Sequence, residues 1–361
     1  MKIAQIAPLT ESVPPKLYGG TERVVSWLTE ELVRQGHEVT LFASGDSKTD
    51  AELVPVCARS LRTDESCKNA MPHHVILIGE VLDRAHEFDV IHSHIDYLLS
   101  PFIRGRRTRS LHTLHGRLDL PDLQPLYKEF NEIPVVSISD SQRKPLPHAN
   151  YFATVYHGLP QDLYSYTSKA SDYMLFLGRI CPDKRPDRAI EIAEITKQKL
   201  VIAAKVDPVD EEYFNREIKP LLKSPYVDFI GEVNEHEKNE LIGQARAILF
   251  PIDWPEPFGL VMIESLACGT PVIAFKHGSV PEVIDHGKTG FHCSSVADAV
   301  KAVNRIDEID RAQCRRTFEE RFTSYRMASD YVQLYKRLVE PRGEAHIVPF
   351  AARNERAALQ T

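Results

Sequence analysis

The chain has 361 residues, 43% of them apolar and 26% charged, and a formal net charge of −7. That length supports two ordinary domains with separate cores, and the acidic balance argues against a nucleic-acid-binding surface. No apolar run approaches the ~18–20 residues of a membrane span, the short apolar start is unlike a signal peptide, and the six cysteines lack any C-x-x-C spacing, so they read as reduced packing residues of a cytoplasmic protein.

Along the chain, short apolar runs alternate with helical patterns, the signal for βαβ units and a parallel sheet. Strands are predicted at 2–7, 38–43, 75–78 (with helix as the alternative), 89–94, 109–114, 133–138 and 152–156. The first helix is expected to start at Thr21 as N-cap with Glu22 in its first turn. Val24, Val25, Trp27, Leu28 and Leu32 form its apolar face and Gly36 stops it. A polar stretch, 161–171, reads as the linker. The second half repeats the plan, with strands at 173–177, 199–204, 227–230, 247–250 and 271–275. Its helices fall at 186–197, 210–222, 235–245 and 258–268. From Val296 only helices follow, at 296–305, 309–322 and 325–339. Two similar α/β halves imply two doubly wound domains, 1–165 and 170–322, a return helix at 323–340 and a frayed tail at 341–361.

The chemistry concentrates in Pro255-Glu256-Pro257-Phe258-Gly259-Leu260 and Glu264. Glu256 precedes a helix start, Pro257 suits a first-turn position, and Gly259 permits close backbone approach. Glu264 follows between one and two turns into the helix. Free N–H groups at Phe258, Gly259 and Leu260 form an anion cradle flanked by two hydroxyl-binding carboxylates, a pocket for a nucleoside diphosphate carrying a sugar.

Other strand ends add to it, since ligands of open α/β sheets bind beyond the carboxyl ends of the strands. Gly178-Arg179 and Lys184 follow the first strand of the second half, Arg179 as a fork for phosphate oxygens and Lys184 as a point charge. The pair Gly19-Gly20 precedes the first helix. His92, His94, His112 and His115 end two neighbouring strands, and His115 before Gly116 opens onto the cleft. Zinc is the sharp alternative for these histidines, but no acidic or cysteine ligand lies at a fitting spacing. The run Arg104, Arg106, Arg107 and Arg109 reads as a solvated loop, or else as a contact for an anionic acceptor or lipid surface. Glu22, Glu30 and Glu31 on the first helix count against membrane docking. No D-x-D metal-holding motif occurs, so leaving-group charge falls to Arg179, Lys184 and helix N-termini.

Together these residues resemble the family-4 retaining glycosyltransferases of the GT-B type, over roughly residues 1–340. The resemblance rests on Gly19-Gly20, Gly36-His37-Glu38-Val39, Thr113-Leu114-His115-Gly116, Gly178-Arg179 with Lys184, the glutamates Glu256 and Glu264, Ala267-Cys268-Gly269-Thr270-Pro271 and Gly287-Lys288-Thr289-Gly290-Phe291. It implies two Rossmann-like domains facing a cleft, with the acceptor side first and the nucleotide-sugar donor side second. By the same resemblance Arg179 and Lys184 bind the diphosphate, Glu264 the ribose, Glu256 the donor-sugar hydroxyls, and His115 the sugar near its reacting carbon. Phe258, Gly259 and Leu260 touch phosphate and sugar through their backbone. Gly19 and Gly20 line the opposite wall, and Gly231, Glu232 and Val233 lie against the base. The sequence departs from the family at His157-Gly158, where asparagine usually precedes the glycine near the hinge.

The expectation is a metal-independent hexosyltransferase without a bound cofactor. It takes a nucleotide sugar, UDP-glucose by default, and an acceptor of unknown class, and it retains the anomeric configuration by same-face attack. Alternatives on the same fold are a phosphorylase, epimerase or hydrolase, and from another class a non-catalytic nucleotide-sugar binder. A dehydrogenase is disfavoured because no G-x-G-x-x-G follows a strand.

Overall fold

The computed structural model describes residues 1–16, 19–106 and 108–340. The expected tail lies outside the described residues, as do Leu17 and Tyr18 before the glycine pair and Arg107 of the basic run. Two wholly parallel sheets carry the fold, one of seven strands and one of six. The first runs β3-β2-β1-β4-β5-β6-β7, from β1 (Lys2–Ile6), β2 (Glu38–Ser44), β3 (Glu52–Cys57), β4 (Val90–Ser93), β5 (Ser110–Thr113), β6 (Val135–Ser137) and β7 (Tyr151–Thr154). The second runs β10-β9-β8-β11-β12-β13, from β8 (Tyr173–Arg179), β9 (Lys199–Lys205), β10 (Val227–Gly231), β11 (Ala247–Phe250), β12 (Val272–Phe275) and β13 (Gly290–Cys293). Each sheet therefore reverses direction next to its own first strand, β1 or β8, the crevice where open α/β sheets bind ligands.

Helix Gly20–Arg34 buries Val24, Val25, Trp27, Leu28 and Leu32, each large side chain contributing ~1.5–3 kcal/mol. Gly36 stops it at φ 83°. The start differs from expectation. Gly19, not Thr21, is the cap, at φ 149° and without a side-chain cap bond. A Cβ there would lie 2.8 Å from Pro15 Cβ, so only glycine fits the position.

The predicted strand at 75–78 is a helix, Met71–Asp83. His74, Leu77, Ile78 and Val81 are buried while Met71, Val75 and Ile76 are exposed, so the apolar run has helical, not sheet, periodicity. Two strands went unread. β3 is a half-exposed edge containing Pro55, and β13 is a four-residue edge. The predicted helix 210–222 breaks into short turns, 3₁₀ at Pro208–Asp210, α at Glu211–Tyr213, π at Phe214–Ile218 and 3₁₀ at Leu221–Lys223. Pro208 starts the segment and Pro220 removes an N–H from its end. The predicted helix 258–268 starts later, as Leu260–Cys268, with Gly259 as cap.

Helix Ser324–Val339 returns to the first sheet, packing on helix Gly20–Arg34 and on β4. It buries Met327, Ala328, Tyr331, Val332, Leu334 and Tyr335. Gly158 meets the helix start closely, with its N–H 3.3 Å from Met327 Sδ, while the Ser324 N–H donates to the Leu159 carbonyl at 2.8 Å and the Leu159 N–H to the Phe322 carbonyl at 3.0 Å. Among the described residues no helix is long and apolar enough to cross a membrane.

Candidate active site

A cleft of about 840 Å³ opens between the carboxyl ends of the two sheets. From the second domain it is lined by Gly178, Arg179, Lys184, Glu232, Val233, Glu256, Phe258, Gly259, Leu260 and Glu264. From the first domain Gly19, Gly20 and His115 face them. These thirteen residues thus line one cavity, whereas Gly231, expected against the base beside Glu232 and Val233, is not part of its lining.

Its centre is the start of helix Leu260–Cys268. The first N–H groups of a helix have no intrahelical acceptor, and the loop that precedes this one is bent to deliver them. Gly259 sits at φ 77°, and a Cβ there would be 2.9 Å from Met262 Cε and 3.3 Å from Glu256 Cγ. Pro257 lies two residues before the cap rather than in the first turn. Its carbonyl accepts a 2.6 Å bond from Ser139 Oγ of the first domain, so the loop is anchored across the cleft. Ser279 holds it from behind, donating from its N–H to the Glu256 carbonyl at 3.0 Å and from its hydroxyl to the Phe258 carbonyl at 2.7 Å.

The charges in the cleft are arranged in pairs. Lys184 forms a short ion pair with the buried Glu256, which also accepts from Trp254 Nε1 at 3.0 Å. The Lys184 ammonium lies 5.3 Å from the ring centres of both Phe250 and Trp254. Arg179, at the end of β8, approaches Asp207 at 3.6 Å and Asp210 at 3.5 Å. Lys205, at the end of β9, pairs with Asp207 at 2.9 Å. The acids hold each cation where it lines the cleft. Glu264 pairs with Lys238 at 2.9 Å. Trp254, Asp207, Asp210, Lys205 and Lys238 were not read from the sequence; nothing local marks Asp207 and Asp210 as partners of Arg179, or Lys238 as the partner of Glu264.

Below His115 lies a buried polar network. His92 meets Tyr335 Oη and Thr113 Oγ1, both at 2.7 Å, and Thr113 meets Tyr331 Oη at 2.8 Å. His94 donates from Nε2 to the Gln5 amide oxygen at 2.7 Å, and its Nδ1 lies 2.9 Å from His115 Nε2. These ring nitrogens are engaged by protein groups. His157 stacks on His115 at 5.3 Å and meets Phe258 edge-on at 4.9 Å. The residue that departs from the family pattern therefore joins the two domains beside the cleft. Burial pushes His115 down to about 3 and His112 down to about 4. It pushes His92, His94 and His157 well below the ordinary histidine range. His115 consequently faces the cleft as a neutral imidazole.

Arg104 of the basic run is bound into the first domain. It pairs with Glu129 at 2.6 Å and Glu132 at 2.5 Å, with its guanidinium 4.3 Å from the Phe130 ring centre.

Two family models match the chain, "Glycosyltransferase Family 4" over residues 18–177 and "Glycosyl transferases group 1" over residues 166–323. The N-acetyl-alpha-D-glucosaminyl L-malate synthase of Bacillus anthracis is 25% identical, covering 88% of this chain and 93% of its own length. The sucrose-phosphate synthase of Thermosynechococcus elongatus shares the fold at a TM-score of 0.75 and 20% identity, covering 94% of this chain and 99% of that one. The Anabaena HepE protein, solved in complex with UDP-glucose, does so at a TM-score of 0.69 and 17% identity, covering 93% of this chain and 100% of that one.

Proposed function

The chain belongs to the family-4, group 1 glycosyltransferases of the GT-B type, and we propose that it moves a hexose from a nucleoside diphosphate to an acceptor hydroxyl with retention at the anomeric carbon. UDP-glucose is the donor we favour, and the bound state of the Anabaena relative supports it. The observation that carries the reading is that Arg179, Lys184, Glu256 and Glu264 line one cleft together with the start of helix Leu260–Cys268.

In this reading the diphosphate sits over the N-terminus of helix Leu260–Cys268, with Arg179 and Lys184 on its oxygens. Glu264 takes the ribose hydroxyls and Glu256 the hydroxyls of the sugar. Negative charge builds on the departing diphosphate as the glycosidic bond breaks. Preorganised donors aimed at that charge stabilise the transition state more than the ground state. No carboxylate is assigned as a nucleophile. The acceptor oxygen attacks from the face that the diphosphate leaves, and a diphosphate oxygen takes its proton. Protein cations balance the leaving charge, so we expect no divalent-ion requirement.

The test supplies UDP-glucose, GDP-mannose and ADP-glucose, each with a collection of small hydroxylated and anionic acceptors. Nucleoside diphosphate release is measured in EDTA and in Mg²⁺. Acceptor-dependent release of one nucleotide, equal in both buffers, is expected. Release without acceptor would identify a hydrolase, and binding without release a non-catalytic binder.

A further inference from the structure

Glu264 does not stand alone in the cleft wall. Lys238, on helix Glu235–Gln244, places Nζ 2.9 Å from Glu264 Oε1 and 2.9 Å from Glu235 Oε1. All three side chains line the cavity. Lys238 is itself held in place. Its ammonium lies 5.4 Å from the Tyr164 ring centre. Its second partner, Glu235, accepts a short bond from Tyr164 Oη and pairs with Arg23 of the first domain at 2.5 Å. Burial pushes the Glu235 carboxyl up, but Lys238 and Arg23 outweigh it and hold the group below its ordinary range. The ammonium is thus a fixed charge rather than a loose surface lysine.

The chemistry of a diol asks for such a pair. Each ribose hydroxyl donates one hydrogen bond and accepts others, whereas a carboxylate only accepts and an ammonium only donates. Glu264 by itself satisfies the hydroxyl protons and leaves their lone pairs unmatched. An ammonium has three N–H groups, and the two carboxylates account for two of them.

We propose that Lys238 is a donor-binding residue: with Glu264 it forms a donor–acceptor pair that reads the vicinal diol of the ribose and selects ribonucleoside over 2′-deoxyribonucleoside diphosphates. The inference rests on the reading that Glu264 holds the ribose. A lysine that only ties two helices together would change stability and not the preference between sugars.

Calorimetric titration of the full chain with UDP and with 2′-deoxy-UDP separates these roles. The wild type is expected to bind 2′-deoxy-UDP roughly ten to a hundred times more weakly, the range for losing a hydrogen bond to a charged group. In Lys238→Met, UDP affinity falls while 2′-deoxy-UDP affinity changes little, so the ratio shrinks toward one. The double variant Lys238→Met/Glu235→Gln removes one charge of each sign and guards against misfolding of the single variant. It should show the same shrunken ratio. A wild-type ratio preserved in both variants overturns the role of Lys238 and leaves Glu264 untouched. A wild type that binds both nucleotides equally, with GDP and ADP and their deoxy forms behaving alike, overturns the ribose reading of Glu264 itself.

Discussion

Lys184 and Glu256 are 72 positions apart in the chain and close into an ion pair inside the cleft. The pair joins the loop after β8 to the loop after β11, on either side of the point where the second sheet reverses its strand order. Glu256 is only 8% exposed, so its charge is tolerated because Lys184 and Trp254 Nε1 satisfy it. Substrate hydroxyls and diphosphate oxygens would have to share these partners rather than find them vacant.

Lys184→Ala should therefore fail twice. Removing a preorganised donor to the leaving diphosphate should cut kcat by ~10²–10³. Leaving the Glu256 carboxylate buried without its counter-charge should also cost ~1–3 kcal/mol of stability. Steady-state turnover and calorimetric melting report the two losses separately. Turnover within a few-fold of wild type would remove Lys184 from the clamp, whereas an unchanged Tm would show that the pair contributes no net stability.

Arg179 should behave differently, because its side chain is 34% exposed and its acidic partners stand at 3.5 and 3.6 Å. Exposed ion pairs of this kind contribute ~0–1 kcal/mol, so Arg179→Ala should melt close to the wild type. Its kcat should still fall by ~10²–10³. Arg179→Lys should recover little of it, since an ammonium cannot fork onto two phosphate oxygens. Full recovery by lysine would argue for a point charge at this position.

The histidines beneath the cleft predict an acid-labile fold. An unfolded chain protonates histidine near ~6.5. Burial keeps the native His112 neutral to about 4 and His115 to about 3, with His92, His94 and His157 also depressed. Below ~6.5 the unfolded state binds more protons, so stability is fully present above that pH and drains away beneath it. Each such histidine gives a slope of ~1.4 kcal/mol per pH unit. Glu11 and Glu22 act in the opposite sense. Both are buried, and burial raises their carboxyls above the ordinary range, so the native state takes a proton there before the unfolded state does. Two acids offset part of five histidines, and the net trend stays downward. Urea unfolding between pH 7.5 and 5 measures it, and a flat profile would contradict the buried neutral cluster.

Two doubly wound sheets were legible because parallel strands buried on both faces leave apolar runs, as at β1, β9 and β11. The edges were not legible. β3 exposes half its surface, and Val75 to Ile78 is an apolar run that a helix uses on two sides. The same division holds in the cleft. Glu256, Gly259 and Glu264 could be read because one loop and one helix turn carry them. Lys238 and Asp210 could not, because each is an ordinary surface residue until the fold brings a partner to it. His157 was visible only as a departure from a pattern, and its stack on His115 supplies the physical content.

Gly259 separates strain from function. Gly36 and Gly259 share a positive φ, 83° and 77°. An alanine at either one pays the left-handed penalty of ~1–2 kcal/mol. At Gly36 the added methyl meets nothing within 4 Å. At Gly259 it meets Met262 Cε at 2.9 Å and Glu256 Cγ at 3.3 Å, inside the loop that aims the helix N–H groups into the cleft. Gly36→Ala should thus lower Tm by a few degrees and leave kcat and UDP affinity near wild type. Gly259→Ala should lower Tm at least as much and also weaken UDP binding and turnover, because the methyl displaces Glu256 and the cradle together. Melting and titration of both variants check this, and a Gly259→Ala enzyme with unimpaired UDP affinity would mean that the diphosphate does not sit over this helix start.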